Sequence, residues 1–590
     1  MPFLITTSEE LRAAGIDRLD AIIVSGDAYV DHPSFGAAMI GRALEAAGFS
    51  VGIIPQPDWR SAGNFRRLGR PRLFFGVTAG NVDSMLAHYT VARRLRRDDA
   101  YSPGGRAGLR PNRAAIVYAS RIREAWPGVP VVLGGIEASL RRLAHYDFWQ
   151  DAVRRSILLD AKADVLVYGM GEVQIVEIAR RLAAGEAVAS ISDIRGTVVG
   201  RPAGALPAGA AEAPSFEECA ADPVRFCDAF RMAWEEQDAR GGRAVAQRHG
   251  DRLVVQNPPA EPLSTKELDA LYDLPFERRW HPMYDAAGGV PALETVRFSI
   301  TSHRGCYGDC SFCALAFHQG RVIQSRSTAS ILREIAQLAR LPQWRGVISD
   351  IGGPTANMYM TGCRAGEARR CRRRCLGQAG GSPRPCPNLD ADAGPMLSML
   401  EAARCAPGVR KVFIGSGVRF DLCLADASDG YLRELCRHHV SGRLKVAPEH
   451  VSEKVLRLMG KPGPEAFEEF RRRFERINAE LGKRQSLVCY FMSSHPGCTQ
   501  EEMRELANYI RRTGLAAEQV QDFYPCPMTP ASCMYHTGMH PLTGESVVVA
   551  RSDRDKQAQR RVLNTPGRKP ARNTAGARSR PPRPAHRRGS

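Results

Sequence analysis

The first 200 residues alternate short β-branched runs with amphipathic helical patterns. Strands are predicted at residues 21–24, 51–54, 73–77, 129–133 and 165–168. Between the first two strands, residues 36–47 repeat apolar positions at helical spacing, and Gly48 follows as a typical helix-ending residue. Strands that alternate with helices favour βαβ units, so residues 1–200 are predicted to form a Rossmann-like α/β domain with a parallel sheet.

A second alternation of strands and helices runs through residues 292–544. Its strands are predicted at residues 296–301, 346–351, 411–414, 443–447, 487–492 and 519–523. An apolar stripe at helical spacing, which indicates a helix packed against a core, is formed by Phe467, Phe470, Phe474 and Ile477. Chemistry is expected where the strands end, because loops at the carboxyl ends of parallel strands carry the ligand sites of such folds.

Three stretches depart from these regular patterns. Residues 201–291 are predicted to form an irregular helical connector. Residues 358–390 form a cysteine-rich insertion within the second region, and residues 545–590 form a basic tail. The tail is predicted to be disordered, because it contains almost no large apolar side chain whose burial would offset the entropy of ordering it.

Positive charge is concentrated in that tail. The chain has a formal net charge of +19, and thirteen Lys and Arg against two Asp in residues 551–590 supply more than half of it. A tail of this kind either binds nucleic acid or acidic surfaces electrostatically, or serves only as a solubilising extension. Nucleic acid is therefore a candidate partner through the tail alone.

The cysteine content indicates the compartment. Residues 1–15 have neither a basic region nor a long apolar run, and no apolar stretch is long enough for a membrane span. Sixteen cysteines in a chain without a secretory signal indicate a reducing compartment, where thiols serve metals rather than disulfides. The sequence therefore predicts a cytoplasmic protein without a membrane segment.

Three cysteines lie close together after the predicted strand at residues 296–301. They are spaced C-x3-C-x2-C, at Cys306, Cys310 and Cys313. Three thiolates hold three irons of a 4Fe-4S cube, and without a fourth cysteine in the loop one iron keeps an open coordination position. The alternative is a zinc site, with His303 or His318 as the fourth ligand.

With Phe312 just before the last of these cysteines, the loop resembles the signature of the radical S-adenosylmethionine (SAM) enzymes. In that superfamily the open iron binds the amino and carboxylate groups of SAM. An electron from the cluster then cleaves SAM into methionine and a 5′-deoxyadenosyl radical. The resemblance implies that residues 292–544 form a partial (β/α)6 radical SAM barrel. It also implies a 4Fe-4S cluster and SAM as cofactors, and a reducing partner of the flavodoxin or ferredoxin type.

Residues at the ends of the next two strands resemble the SAM-binding residues of this superfamily. Gly352 and Gly353 are similar to its Gly-Gly turn, whose backbone carbonyl groups receive the SAM ammonium. Only residues without a Cβ allow so close an approach. Pro354 stands where the family often has Glu, so the resemblance implies a backbone contact alone. Ser416, at the end of the following strand, is expected to reach the SAM ribose.

The ends of the later strands carry ionisable side chains that are candidates for binding SAM or the substrate. Arg419 either binds the SAM carboxylate as a bidentate partner or pairs with Asp421 in the barrel rim. Glu449, together with His450 and His495, is expected to hold SAM or the substrate. For each imidazole, a structural histidine satisfied within the fold is the alternative. The sequence does not identify a catalytic residue.

A second cysteine set lies in the insertion. Its members are Cys363, Cys371, Cys375 and Cys386. Four thiols in a segment with little apolar content favour a metal site over a hydrophobic cluster. The metal is either a second Fe-S cluster of the 4Fe-4S type or zinc. Because the segment leaves the carboxyl end of a strand, the site is expected near the reaction face.

Together these motifs resemble the YgiQ-type radical SAM proteins over residues 1–544. Further motifs at residues 323–327, 445–450 and 522–527 support the resemblance. It implies a cobalamin-binding-type N-terminal domain, with cobalamin as a candidate cofactor. His32 does not have the spacing of the cobalt-binding signature D-x-H-x-x-G and is not predicted to be a ligand. A vestigial or substrate-recognition domain is the alternative.

The expected function is that of a radical SAM enzyme acting on an unknown substrate. A methyl- or methylthiotransferase acting on RNA or protein is one alternative, and a non-catalytic Fe-S or zinc RNA-binding protein is another. A primary carbon radical needs an enclosed cavity, because it abstracts hydrogen from any suitable donor that it meets. The glycine turns at residues 134–135 and 169–171 are therefore predicted to face the cysteine loop across a shared cavity.

Overall fold

A sheet dominates the N-terminal half of the computed structural model, which describes residues 3–365, 375–376, 385–515 and 519–564. Within these residues the sheet has nine strands, in the order Ala211–Ala213, Val245–His249, Arg252–Gln256, Thr197–Pro202, Val165–Val167, Val131–Gly134, Phe74–Thr78, Ala21–Ser25 and Val51–Pro55. Neighbouring strands from Val165–Val167 to Val51–Pro55 pair in parallel. This arrangement confirms the predicted Rossmann-like sheet.

Helices cover this sheet. They are Ser8–Ala13, Gly36–Ala46, Ser84–His88, Ala114–Ala125, Gly135–Ser139, Ile157–Asp160, Glu172–Ala183, Phe216–Ala221, Pro223–Glu235 and Thr265–Tyr272. Ala21–Ser25 is buried along its whole length, as expected for a parallel strand covered on both faces. The predicted helix at residues 36–47 is present, and Gly48 follows it with φ +91°, a conformation that glycine adopts without strain.

The sheet extends beyond the predicted domain boundary at residue 200. The added strands are Ala211–Ala213, Val245–His249 and Arg252–Gln256, of which the last two form an antiparallel hairpin. The expectation of an irregular helical connector over residues 201–291 is therefore wrong for this part. Gln247 and Gln256 are buried in the hairpin and interrupt the apolar pattern that would have predicted it.

The second half contains the predicted partial barrel. Its strands are Ser299–Thr301, Val347–Ile348 with Asp350–Gly352, Lys411–Val412, Arg443–Glu449, Ser486–Ser493 and Gln519–Asp522. Successive strands pair in parallel in chain order, with a single bridge between Val418 and Val446 joining the third to the fourth. The first strand is shorter than predicted, because residues from Ala292 to Val296 form a helix that begins directly after Pro291.

Helices surround this barrel. They are Leu315–His318, Thr328–Leu338, Gly394–Cys405, Phe420–Ala425, Gly430–Glu434, Glu453–Met459, Pro464–Glu480, Gln500–Thr513, Pro530–Thr537 and Asp553–Asn564. The predicted apolar stripe of Pro464–Glu480 is buried in the core, as expected from its helical spacing. Among the described residues, no helix combines the length and apolar character that a membrane span requires.

The predicted start of the basic tail at residue 545 is wrong. Val547 and Ala550 are buried, and Asp553–Asn564 is a helix that packs against Gln500–Thr513. Gln559 anchors this helix, because its amide donates to the carbonyl of Cys498 at 2.8 Å. A polar anchor of this kind leaves little apolar signal in the sequence. Residues 565–590 lie outside the described residues.

Buried ion pairs hold the first domain against the barrel. Glu334 of the helix Thr328–Leu338 contacts both Arg278 and Arg326, and all three side chains are almost fully buried. The backbone N–H of Arg278 donates to the carbonyl of Asp31 in the first domain at 2.7 Å. Glu334 therefore compensates two buried guanidinium groups at the junction of the domains.

Replacing Glu334 with Ala is expected to lower the free energy of unfolding by about 3–5 kcal/mol, because two buried arginines lose their shared carboxylate. Urea unfolding followed by circular dichroism measures the change. Glu401→Ala removes an exposed carboxylate and serves as the control, with an expected change within about 0.5 kcal/mol. Equal unfolding midpoints for the two variants would contradict this account of the junction.

Candidate active site

The cysteine loop, residues 305–313, is shaped by contacts with distant parts of the barrel. The N–H of Ser311 donates to the carbonyl of Met459 at 2.8 Å, and the carbonyl of Ser311 accepts from the N–H of Ala531 at 2.9 Å. Ser311 Oγ lies 3.1 Å from His495 Nε2, and the N–H of Cys306 donates to the carbonyl of Gly320 at 3.0 Å. Tertiary contacts therefore determine how the three thiols are presented.

The surroundings of the loop thiols suit a negatively charged Fe-S cluster. Cys306, Cys310 and Cys313 are half-buried, and burial raises the pKa of Cys313 to about 12 and also raises that of Cys306. Burial alone thus disfavours free thiolates, whereas coordination to iron deprotonates them. Compensating donors are present, because the N–H of Gly308 lies 3.4 Å from Cys306 Sγ and Arg419 Nη1 lies 3.7 Å from Cys310 Sγ.

Both imidazoles considered as a fourth zinc ligand have partners within the protein. Among the described residues, no three His, Cys, Asp or Glu side chains converge on one position that could hold a metal ion. In a cube each thiolate binds a different iron, so such convergence is not required. His303 Nε2 lies 3.0 Å from the carbonyl of Thr355, and His318 Nδ1 lies 3.1 Å from Ser139 Oγ. Nε2 of His303 and Nδ1 of His318 are thus engaged within the protein.

The Gly-Gly turn lies at the expected strand end. The carbonyl of Gly352 accepts from the N–H of Ser302 at 2.7 Å, which leaves its second lone pair for another donor. A Cβ at Gly352 would lie 2.9 Å from Ser416 Oγ, and a Cβ at Gly353 would lie 2.6 Å from the carbonyl oxygen of His303. Close backbone approach therefore requires glycine at both positions.

Ser416 is engaged within the protein. Its hydroxyl donates to the carboxylate of Asp350, which also accepts from the backbone N–H groups of Gly415 at 2.9 Å and Ser416 at 3.1 Å. The contact between Ser416 and the SAM ribose stays a prediction. Asp350 was missed as a site residue, although its position at the end of a strand was a usable signal.

Arg419 pairs with Asp421 in the barrel rim, which is one of its two predicted roles. Its Nε and Nη2 grip the carboxylate of Asp421 at 3.0 Å and 2.6 Å, and both side chains are largely buried. The remaining nitrogen, Nη1, points toward Cys310 Sγ. Arg419 thus places a positive charge beside the cysteine loop, while its contact with the SAM carboxylate stays a prediction.

Glu449 is a buried carboxylate in a strained backbone. Its φ of +68° lies in the left-handed region, which is uncommon outside glycine and is often found at functional sites. Burial raises its pKa, and Lys461 Nζ at 3.6 Å opposes that shift. His450 accepts from the N–H of Ser452, and His495 contacts the cysteine loop at Ser311, so both imidazoles have partners within the fold. Their contact with SAM or substrate stays a prediction.

Two large cavities lie between the described parts of the first domain and the barrel. The first has a volume of about 560 Å³. Its walls include both predicted glycine turns, Gly134–Gly135 and Gly169–Gly171, and on the barrel side Arg304, Gly352, Gly353 and Ser416. Both turns therefore face the barrel across this cavity, but no residue of the cysteine loop lines it. The prediction that the turns face that loop holds only for Gly169 and Met170, which line the second cavity together with Tyr307 and Asp309. A Cβ at Gly169 would lie only 3.2 Å from the carbonyl oxygen of His318.

The second cavity has a volume of about 840 Å³ and lies on the other side of the Gly169–Gly171 turn. Tyr307 and Asp309 of the cysteine loop line it, and so do three cysteines of the second set, Cys363, Cys375 and Cys386. The cavities share the wall residues Gly169, Met170, Glu172, His318 and Gln319. The two cavities are therefore adjacent.

The described cysteines of the second set lie near one another. The N–H of Cys386 donates to the carbonyl of Cys375 at 2.8 Å, and Cys363 belongs to a strand paired with Leu389–Asp390. The insertion packs beside Tyr307 and therefore lies next to the cysteine loop. Cys371 lies outside the described residues, so a metal at this second set stays a prediction.

His32 does not contribute to the first cavity. Its Nδ1 accepts from the N–H of Ser34 at 3.1 Å, and its Nε2 lies 3.4 Å from Arg278 Nη1. The interpretation that His32 is not a cobalt ligand agrees with this position.

Comparison with known proteins identifies the family. The description "Radical SAM N-terminal" matches residues 3–299, and "Radical SAM superfamily" matches residues 300–510. A UPF0313 protein of Methanocella arvoryzae is 53% identical over 94% of this chain and 92% of its own length, and one of Geobacter sulfurreducens is 54% identical over 95% and 92%. This chain belongs to the UPF0313 family. The resemblance to YgiQ-type radical SAM proteins is thus confirmed, and a 4Fe-4S cluster and SAM are the cofactors of this UPF0313 protein.

Solved structures resemble the fold more distantly. The radical SAM methyltransferase TsrM from Kitasatospora setae has a TM-score of 0.49 at 16% identity, covering 86% of this chain and 74% of TsrM. The cobalamin-dependent SAM radical enzyme OxsB has a TM-score of 0.47 at 12% identity, covering 88% and 55%. At these values no property of either enzyme is transferred to the UPF0313 protein. Residues 518–566 match a domain of unknown function, DUF3362.

Replacing Gly308 with Ala is expected to lower the iron content of the reconstituted protein. The new Cβ would lie 2.4 Å from Arg419 Nη1 and 3.3 Å from Cys306 Sγ, and Asp421 prevents the guanidinium from moving away. Gly204→Ala, where a Cβ meets nothing within 4 Å, is the matched control. Iron per chain, measured after anaerobic reconstitution, should fall only in the first variant. Equal iron contents would show that the loop tolerates the methyl group.

The second cysteine set is expected to hold metal independently of the loop. Protein in which Cys306, Cys310 and Cys313 are all replaced by Ala should retain iron or zinc on elemental analysis. Further replacement of Cys363, Cys375 and Cys386 by Ser should remove that metal. If the first variant contains no metal and the thiols of Cys363, Cys371, Cys375 and Cys386 are all alkylated freely, the second site does not exist.

Proposed function

We propose that this UPF0313 protein is a radical SAM enzyme that cleaves SAM reductively and directs the 5′-deoxyadenosyl radical to a substrate held between the first domain and the barrel. The observation that carries the proposal is the position of the cysteine loop, with residues of the loop or its flanks lining both interdomain cavities. When bound, the cluster supplies the electron for cleavage of SAM.

The protein's own residues position SAM in this proposal. Gly352 presents a carbonyl lone pair to the first cavity, which suits the SAM ammonium. The carboxylate of Asp350 orients Ser416, so that the hydroxyl oxygen of Ser416 remains an acceptor for a ribose hydroxyl. Arg419 supplies positive charge beside the loop. None of these contacts requires a proton transfer, so these residues bind and orient.

The close contact between the two domains beside the cavities supports radical chemistry. The turn Gly169–Gly171 and the carbonyl of His318 leave no room for a side chain between the first domain and the barrel. Arg304, next to the cysteine loop, pairs with Glu172 at 2.7 Å across the same junction. Exclusion of water and other hydrogen donors would protect a reactive radical from quenching, and close contact between the domains favours it.

The position of the first cavity favours a second candidate function, cobalamin-dependent group transfer. The cavity lies at the carboxyl ends of the parallel strands, where doubly wound sheets bind ligands. In that case the acceptor is unknown, and RNA or protein stays among the candidates. A non-catalytic binding protein is the alternative to both enzymes.

Product analysis separates these functions. Anaerobically reconstituted protein is mixed with SAM and dithionite, and the products are quantified by mass spectrometry. We expect 5′-deoxyadenosine and methionine, together with an EPR signal that changes when SAM is added. The variant C306A/C310A/C313A should lose both, whereas Cys405→Ala, at an exposed thiol, should lose neither.

Other outcomes identify the alternatives. S-adenosylhomocysteine in place of 5′-deoxyadenosine would indicate methyl transfer. Cluster-loaded protein that yields neither product would be a binding protein. An EPR signal that still changes on addition of SAM in the triple variant would overturn the assignment of the cluster to the three loop cysteines.

A further inference from the structure

Two glutamines that line the second cavity already use their side-chain oxygens inside the protein. Gln324 Oε1 accepts from the N–H of Leu263 at 3.0 Å, and Gln237 Oε1 accepts from Arg142 Nη2 at 2.6 Å. Because these partners can only donate, each amide is oriented with its NH₂ group directed away from the contact. Both glutamines line the second cavity and not the first. The second cavity therefore has two oriented amide donors in its wall.

The wall that both cavities share repeats this arrangement. Gln319 Oε1 accepts from the N–H of Gly305 at 3.2 Å, at the start of the cysteine loop. Ser139 Oγ accepts from the N–H of Gly169 at 3.0 Å and lies 3.1 Å from His318 Nδ1. Within the described residues the serine hydroxyl has no other acceptor, so its proton is assigned to the contact with Nδ1 and the ring proton to Nε2. Gln319 and His318 thus each keep an N–H donor for the shared wall.

These outward nitrogens are accessible. The polar atoms that are buried without a partner in the described part of the chain do not include Nε2 of Gln237, Gln319, Gln324 or His318. Gln237 is only 7% exposed, and its Nε2 belongs to that exposed surface. Burial lowers the pKa of His318 to about 4, so its imidazole is an uncharged donor at neutral pH. Oriented donors that the protein leaves open in a cavity are suited to acceptors of a ligand.

Charged groups of the same wall are compensated by their neighbours. Ion pairs join Glu172 to Arg304 at 2.7 Å, Asp309 to Arg321 at 2.9 Å and Glu261 to Arg195 at 3.1 Å. The open donors of the amides and the imidazole are, in contrast, uncharged. An uncharged acceptor satisfies such donors without the cost of removing a full charge from water. The wall therefore suits a neutral ligand better than an anion.

The cavity has the size of a small-molecule site. Its volume of about 840 Å³ falls within the range of about 300–1,000 Å³ that is typical of such sites. Apolar side chains, including Met170, Leu263 and Ile323, complete the wall around the polar groups. A ligand that contacts both Gln319 and Gln237 would extend from the cysteine loop to the first domain.

We propose that the second cavity binds a small-molecule substrate through an uncharged, acceptor-rich group, such as an amide, a lactam or a heterocyclic carbonyl. Gln237 and Gln324 donate to this group, and Gln319 and His318 donate from the shared wall. The proposal rests on the proposed function, because it names the substrate class of the same enzyme. SAM is assigned there to the first cavity, so the substrate occupies the adjacent space.

The test uses 1,3-dimethyluracil as the probe, because this ring carries carbonyl acceptors but neither an N–H donor nor a charge. Full-length, anaerobically reconstituted protein is titrated with the probe, and binding is followed by saturation-transfer NMR of the probe signals. The wild type should bind it saturably, with a dissociation constant in about the millimolar range for a ligand of this size. Aniline, a neutral ring of similar size that mainly donates, should bind at least about ten-fold more weakly, because donors would face donors.

Gln237→Glu and Gln324→Glu test the donors directly. In each variant one carboxylate oxygen still accepts from Arg142 or Leu263, while the other places an acceptor where the amide donor was. At neutral pH each variant should therefore bind 1,3-dimethyluracil at least about five-fold more weakly than the wild type. Gln337→Glu makes the same change at an exposed glutamine and should bind as the wild type does. Circular dichroism and iron content verify that each variant is folded.

Four results would overturn the proposal. The wild type does not bind 1,3-dimethyluracil, aniline binds as tightly, the folded glutamate variants bind with unchanged affinity, or S-adenosylhomocysteine displaces the probe. The last result would make this cavity part of the SAM site. If neither glutamate variant folds, the comparison of the two probes decides. None of these results depends on SAM cleavage, and failure of the proposed function is read separately, as the absence of 5′-deoxyadenosine from the wild type.

Discussion

The buried ion pair between Glu172 and Arg304 sets the geometry on which the candidate site depends. Glu172 begins the helix after the turn Gly169–Gly171, and Arg304 directly precedes the cysteine loop, so the pair ties the reactive edges of the two domains together. Both side chains are about 4% exposed. Separating them would leave two unpaired charges in a medium of low dielectric constant, which is strongly unfavourable. The carboxyl ends of the first sheet therefore stay against the face of the barrel, and the cavities lie on either side of this contact.

The cysteine loop has no regular secondary structure and takes its shape from the elements around it. Met459 and Ala531 fix its backbone through Ser311, while His495 contacts the serine hydroxyl. Ala531 belongs to the region that matches DUF3362, which also supplies the last barrel strand, Gln519–Asp522. In this protein, that region is therefore an integral part of the barrel rather than an appended domain. Through this contact, a C-terminal segment helps to shape the cysteine loop at residues 305–313.

Arginines beside the loop differ in what their donors contact. Arg419 binds Asp421 through Nε and Nη2 and directs Nη1 to Cys310 Sγ. Arg321 stacks on the ring of Trp234, and its Nε forms an ion pair with Asp309 Oδ1 at 2.9 Å. The first arrangement places positive charge beside the loop thiols, and the second offsets the charge of Asp309 within the loop. The two arginines thus differ in the groups that their guanidinium nitrogens contact, although both lie beside the loop.

The sequence by itself determined the alternation of strands and helices, the cysteine loop and the family, because hydrophobic periodicity and cysteine spacing are local properties. It missed the hairpin Val245–His249 with Arg252–Gln256 and the helix Asp553–Asn564, since polar groups buried by distant partners break the apolar pattern. Only the tertiary structure decided that Arg419 pairs with Asp421, that Glu172 reaches Arg304 and that Arg321 faces a cavity. The reason is physical. The partner and direction of a charged side chain depend on which segments meet in space, and in this fold the groups that meet Arg304 and Arg321 lie on segments far from them in the chain.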